Sequence, residues 1–139
     1  MPYSSMSPTI LTRDGRAQLV VGSPGSARIL SAITQVTQLW VDGRLPLERA
    51  VSYPRFHVGA GGELFVEAPE RFAAVVEALV ASGLVLREPT DDLANEHGNP
   101  FFGGVHAVAF ENGTWVGAAD PRRDGHAVVV GALAEVVTP

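Results

Sequence analysis

The chain has 139 residues, enough for one domain with one modest core. At 46% apolar and 18% charged it groups with folded globular proteins, and a formal charge of −5 with scattered Arg speaks against a nucleic-acid partner, whose phosphates require clustered cations. It has no cysteine, which excludes disulfides, thiolate nucleophiles and zinc–thiolate sites.

No apolar run approaches the roughly 20 residues of a bilayer span. The opening "MPYSSMSPT" lacks the charged and apolar regions of a signal peptide. The expectation is a soluble chain that binds no membrane, with its compartment left open. Gly (15) and Pro (10) are frequent, so elements are expected to be short and connections many.

In chain order, Thr9–Thr12 and Ala17–Val21 flank Arg13-Asp14-Gly15-Arg16, two β-prone runs around an Asp-Gly turn that predict a hairpin. Gly22-Ser23-Pro24-Gly25 breaks the second strand. Ile29, Ile33, Val36 and Trp40 then recur at helical spacing, with Leu30 and Thr37 beside them, toward a stop near Asp42-Gly43. A short helix is predicted after Pro46 and before Pro54. Glu63–Glu67 reads as a strand. Residues 70–82 read as a helix with Phe72, Val75, Val76, Leu79 and Val80 on one side and Gly83 as its stop, and Leu84–Leu86 as a further strand.

Residues 88–103 carry turn formers without periodicity and read as the longest loop. Val105–Phe110 and Thr114–Ala118 around Asn112-Gly113 predict a second hairpin, Asn-Gly being suited to a type I′ turn. The remainder, to residue 137, reads as a loop with one more strand or short helix. The fold class is therefore α+β, antiparallel hairpins with helices packed on one side, in a single domain over 1–139.

Four histidines, His57, His97, His106 and His126, lie in separate segments without ligand spacing, so no metal or other cofactor is expected. Asp91-Asp92 reads as a solvated turn. Asp120-Pro121-Arg122 reads as an Asx turn with an Arg pairing nearby. Trp40 and Trp115 read as core, and Pro54-Arg55-Phe56-His57 as a packed loop. The glycine corner offers more. Gly25 and Ser26 follow a strand and precede a helix, so their N–H groups are among those a helix leaves unpaired. The macrodipole adds positive potential, which suits an anion or a developing oxyanion. Alone, this pattern is also that of an ordinary tight turn.

The order of the pieces carries a resemblance. "SSMSPTI", then "GSPGSARI", then "PRFH" and "ADPR", with "FVE" and "FFGGVHAV" between them, resemble the C-terminal part of the small subunit of γ-glutamyltranspeptidases, which are N-terminal-nucleophile hydrolases. The likeness runs along nearly the whole chain. It implies part of an αββα sandwich. It also implies that Ser4 and Ser5 bind the α-carboxylate of a γ-glutamyl compound such as glutathione, while Gly25 and Ser26 form the oxyanion hole. Asp120-Pro121-Arg122 matches a motif read as structural support.

The chain departs from the family pattern in two places. Ser26 stands where the family usually has a second glycine, and a positive φ there carries a cost for serine. The family's nucleophile, a threonine exposed by autoproteolysis, lies upstream of the serine pair; Thr9 sits inside a predicted strand and does not fit that role. The acidic group that holds the substrate's α-amino nitrogen and a large-subunit arginine are likewise unmatched. The resemblance thus implies a segment inactive alone, completed by a missing N-terminal portion or large subunit, with self-association through its uncovered apolar face. A non-catalytic domain binding a small carboxylate, or part of a related amide acylase, is the alternative.

Overall fold

The computed structural model describes residues 4–89, 94, 96 and 98–128. Asp91, Asp92, His97 and the predicted final element beyond residue 128 lie outside the described residues.

Two sheets organise the chain. The larger joins β1 (Thr9–Arg13), β2 (Arg16–Gly22), β6 (His106–Glu111) and β7 (Thr114–Ala119) in the order β1-β2-β6-β7, all antiparallel. Both predicted hairpins are present. Asp14 and Gly15, and again Asn112 and Gly113, have positive φ at both central positions, the backbone that type I′ turns require. A register shift at Leu11/Thr12 gives β2 one extra residue opposite β1.

Alternation along these strands separates two faces. Leu19, Val21, Ala107, Ala109 and Ala118 point to a core shared with α1 (Ile29–Val41) and α2 (Leu47–Ser52), which contribute Ile29, Ala32, Ile33, Val36, Leu47, Ala50 and Val51. Each such large aliphatic side chain contributes about 1.5–3 kcal/mol on burial. The helices do pack on one side of this sheet, as expected. The opposite face carries Ile10, Val20, Val108, Phe110 and Trp115, all exposed, with Ile10 63% and Trp115 46% accessible. Trp115 is therefore not core; its strand position turns it away from the helices, against Phe110 at 5.6 Å.

The second sheet corrects the expectation of antiparallel hairpins alone. β3 (Phe56–Val58) pairs antiparallel with β4 (Glu63–Val66), but β4 pairs parallel with β5 (Val85–Arg87), the crossover being α3 (Ala73–Ala81). β3 occupies part of the stretch read as a loop. α3 ends as predicted at Gly83 in a Schellman arrangement, with Gly83 N–H donating to the Val80 carbonyl and Leu84 N–H to that of Leu79. Only Val76 of its expected apolar side is buried; Val75 and Val80 are exposed. The fold is α+β with mixed sheets and helices alongside.

Candidate functional site

The chain leaves β2 at Gly22 and enters α1 through a short 3-10 turn over Ser26–Arg28. Gly25 has φ +140°, and a Cβ there would stand 3.2 Å from the Gly103 Cα, so only glycine fits both the backbone and the space. Ser26 follows at φ +52°. That is the left-handed region the residue type disfavours. No side chain caps the N–H groups at this helix start.

The corner is buttressed from the far end of the chain. Ser23 Oγ accepts from Gly104 N–H at 3.2 Å and donates to the Pro24 carbonyl at 2.7 Å. Gly103, with φ +92°, lies so close that a Cβ would meet Ser23 Oγ at 2.9 Å. Arg28 donates through Nε to the Phe101 carbonyl at 3.0 Å and stacks its guanidinium 4.4 Å above the Phe101 ring.

One serine of the opening segment reaches this region. Ser5 Oγ donates to the Ser26 carbonyl at 2.9 Å, joining the serine pair to the corner across 21 positions. Ser4 Oγ accepts from Met6 N–H at 3.3 Å, a local turn. Thr9 lies in β1, where its hydroxyl donates to the Ser7 carbonyl at 3.1 Å.

Behind the corner lies a buried ionic cluster. Arg55 and Asp120 pair at 2.7 Å, and Arg122 pairs with Asp120 at 3.0 Å and with Glu67. Asp120 also accepts from Val105 N–H at 2.7 Å and from Arg122 N–H at 3.1 Å, the second being the expected Asx turn. Arg55 donates to the Phe102 carbonyl at 3.0 Å, which ties the cluster to the segment that buttresses the corner. Burial would raise the Asp120 carboxyl, but Arg55 and Arg122 together hold it below the usual carboxylate range. Burial, with Arg122 beside it, lowers Arg55; for Arg122 the burial effect is outweighed by Glu67 and Asp120, so its guanidinium is raised. These residues position backbone and stand among themselves.

Elsewhere, His57 Nδ1 lies 2.8 Å from Ser31 Oγ, and burial followed by the nearby Arg28 charge hold its imidazolium below the usual histidine range. His106 and His126 are exposed, and no group of three metal-ligating side chains exists among the described residues. No helix among the described residues is long and apolar enough to cross a membrane.

Residues 1–130 match the family model for gamma-glutamyltranspeptidase. The chain belongs to the gamma-glutamyltranspeptidase family. It is 36% identical over 130 residues to a glutathione hydrolase proenzyme of Pseudomonas aeruginosa, covering 91% of this chain and 22% of that protein. An acylase ACY 1 proenzyme of Pseudomonas sp. (strain SE83) is also 36% identical, over 136 residues, covering 95% of this chain and 22% of the relative. A highly active variant of gamma-glutamyltranspeptidase from Pseudomonas nitroreducens superimposes with a TM-score of 0.75 at 34% identity, over 94% of this chain and 64% of that one. The chain thus spans about a fifth of the curated relatives it matches.

Of the site residues expected from the sequence, Ser5, Gly25 and Ser26 come together, and Ser4 is adjacent to Ser5 in sequence. Sequence reasoning missed the buttress of Ser23, Gly103 and Gly104 and the reach of Arg28. The signal was the Gly-Gly pair after two phenylalanines, which entered the family resemblance but carried no role of its own. It also left Arg55 without a partner, because nothing local to "PRFH" announces Asp120.

Proposed function

We propose that this chain is the part of a γ-glutamyl-transferring or γ-glutamyl-hydrolysing enzyme that grips the substrate and stabilises the oxyanion. In this reading Ser4 and Ser5 hold the α-carboxylate of a γ-glutamyl compound such as glutathione. The N–H groups of Gly25 and Ser26 receive the oxyanion as the amide carbon becomes tetrahedral. The nucleophilic threonine comes from a segment outside these 139 residues, attacks the γ-carbonyl and forms an acyl-enzyme that water or an amine releases.

The observation that supports the reading is the Ser5–Ser26 hydrogen bond, which joins one of the two serines to the glycine corner. The exposed apolar face of the four-stranded sheet supports it further, since that face is suited to pack on a second sheet in an αββα sandwich. The purified 139-residue chain is expected to release no p-nitroaniline from γ-glutamyl-p-nitroanilide above the uncatalysed rate. Turnover by the chain alone would sink the assignment of the nucleophile elsewhere.

A second reading keeps the chemistry and changes the amide. Similarity to an acylase proenzyme equals that to a glutathione hydrolase proenzyme, at 36% each. Calorimetric titration with glutathione and with a simple acyl amide that lacks the γ-glutamyl group separates the two by which ligand binds.

A further inference from the structure

At the far end of α1 from the glycine corner, 13 residues or about 20 Å along the helix axis, a cavity of about 680 Å³ opens between α1, α3 and the second sheet. Leu39, Val66, Phe72, Val76 and Leu79 form its walls, and none of Ser4, Ser5, Gly25 or Ser26 lines it. Phe56, Val58 and Val75 line it too and stay 46%, 41% and 58% accessible, so large apolar side chains are left in water there. A mostly apolar wall of this size, with a few polar groups to fix orientation, is the character of a small-molecule site.

The polar groups are present and unused. The side-chain polar ends of Gln38, Asp42 and Tyr53 make no hydrogen bond or ion pair among the described residues. Gln38 and Asp42 are i, i+4 neighbours along α1 and still do not bond to each other. Asp42 ends α1, and the last turn of that helix carries no basic side chain. A carboxylate at this position adds to the negative pole of the helix, the wrong sign for stability. A local rule broken without compensation inside the fold is what a ligand site leaves behind. The one cationic side chain of the lining, Arg55, is neutralised by Asp120 at 2.7 Å. Arg71 lies outside the lining, 5.9 Å and 6.0 Å from the Tyr53 and Phe72 rings, which leaves the α1 side as the negative one.

From these features we infer that the cavity binds a small amine with an apolar body. Its ammonium sits at Asp42 and the end of α1, and its hydrocarbon lies against Phe56, Phe72 and Leu79. The aromatic walls add a π face for a cation, as Tyr53 and Phe72 already do for Arg71. A ligand carboxylate in the same place would set like charge against Asp42. The site is separate from the corner and does not rest on the γ-glutamyl reading, so neither stands or falls with the other.

Calorimetric titration of the full 139-residue chain at pH 7 with 2-phenylethylamine, 2-phenylethanol and 3-phenylpropionate tests this. The amine is expected to bind about tenfold more tightly than the alcohol of the same shape, and the acid more weakly than either. Asp42→Asn should lower the affinity for the amine about fivefold and leave that for the alcohol unchanged. Glu77→Gln removes an exposed acid of α3 outside the lining and should change neither, which separates a site from general attraction to a chain of charge −5. Val75→Trp fills the mouth from a largely solvated position, and should abolish binding of both with the circular dichroism of the wild type retained. No binding of the amine, or binding no tighter than that of the alcohol or the acid, overturns the inference. Equal losses in Asp42→Asn and Glu77→Gln, or full binding by Val75→Trp, overturn it as well.

Discussion

Asp120 accepts from two arginines and two backbone N–H groups in a space closed to water, so each partner depends on the others. Removing the carboxylate leaves Arg55 and Arg122 facing one another, and Asp120→Ala is expected to cost about 3–5 kcal/mol in urea unfolding at pH 7. The pH response follows from the direction of its shift. The folded carboxyl titrates below its unfolded value of about 3.9, so its stabilising effect is complete above that pH and is lost as pH falls through the folded value. His57 is also lowered in the folded state. Its unfolded value is about 6.5, so stability falls as pH drops from there through the folded value. His57→Gln should flatten that part of the stability–pH curve, which thermal melts at stepped pH would show. Ser26→Gly removes the left-handed strain but gives the unfolded chain more freedom, so a gain of no more than about 1 kcal/mol is expected.

At the scale of elements, long-range side-chain contacts place the helices. Glu111, at the end of β6, accepts from the Trp40 indole N–H at 2.7 Å and from Leu47 N–H at 2.9 Å, fastening the end of α1 and the start of α2 together. Gln35 brackets Phe56, donating to its carbonyl at 2.8 Å and accepting from its N–H at 3.0 Å, and so joins α1 to the edge of the second sheet. Glu111→Ala strands two donors and is expected to cost about 1–3 kcal/mol in denaturant unfolding, with the Trp40 fluorescence shifting as well. Such contacts explain what could be read from the residues. The hairpins were legible because Asp14-Gly15 and Asn112-Gly113 dictate their turns locally, and α1 because Ile29, Ile33 and Val36 repeat at its period. β3 was not, since three residues are too few to signal a strand, and Phe56 is held by Gln35 from another element. The parallel β4–β5 pairing escaped because both strands are short and either orientation suits their composition. Of the site, the serine pair and corner were legible through the family pattern, while the Gly103-Gly104 buttress depends on packing between distant segments.

For the whole molecule, the distribution of apolar surface is the main consequence of the fold. One face of the four-stranded sheet is filled by α1 and α2, and the other presents Ile10, Val20, Val108, Phe110 and Trp115 to solvent. Contiguous apolar surface of this kind seeks a cover. The isolated chain is expected to self-associate in light scattering at high concentration. Trp115→Asp together with Phe110→Asp should return it to a monomer without loss of helix content. A wild-type monomer over the whole concentration range would count against a sheet-to-sheet partner.

The order in which the strands pair has a kinetic side. β2 lies beside β6, matching Leu19 with Ala109, while the β3–β4–α3–β5 unit is built from neighbours and occupies the interval between them. The nested unit can assemble early, but the large sheet closes only after a long loop has been drawn together, an entropic cost met before any reward. Completion of the β2–β6 seam is then expected to be the slow step of folding, which stopped-flow refolding of variants at Leu19 and Ala109 would show. The glycine corner, set between that seam and α1, is then expected to take its final shape only when the last strands arrive.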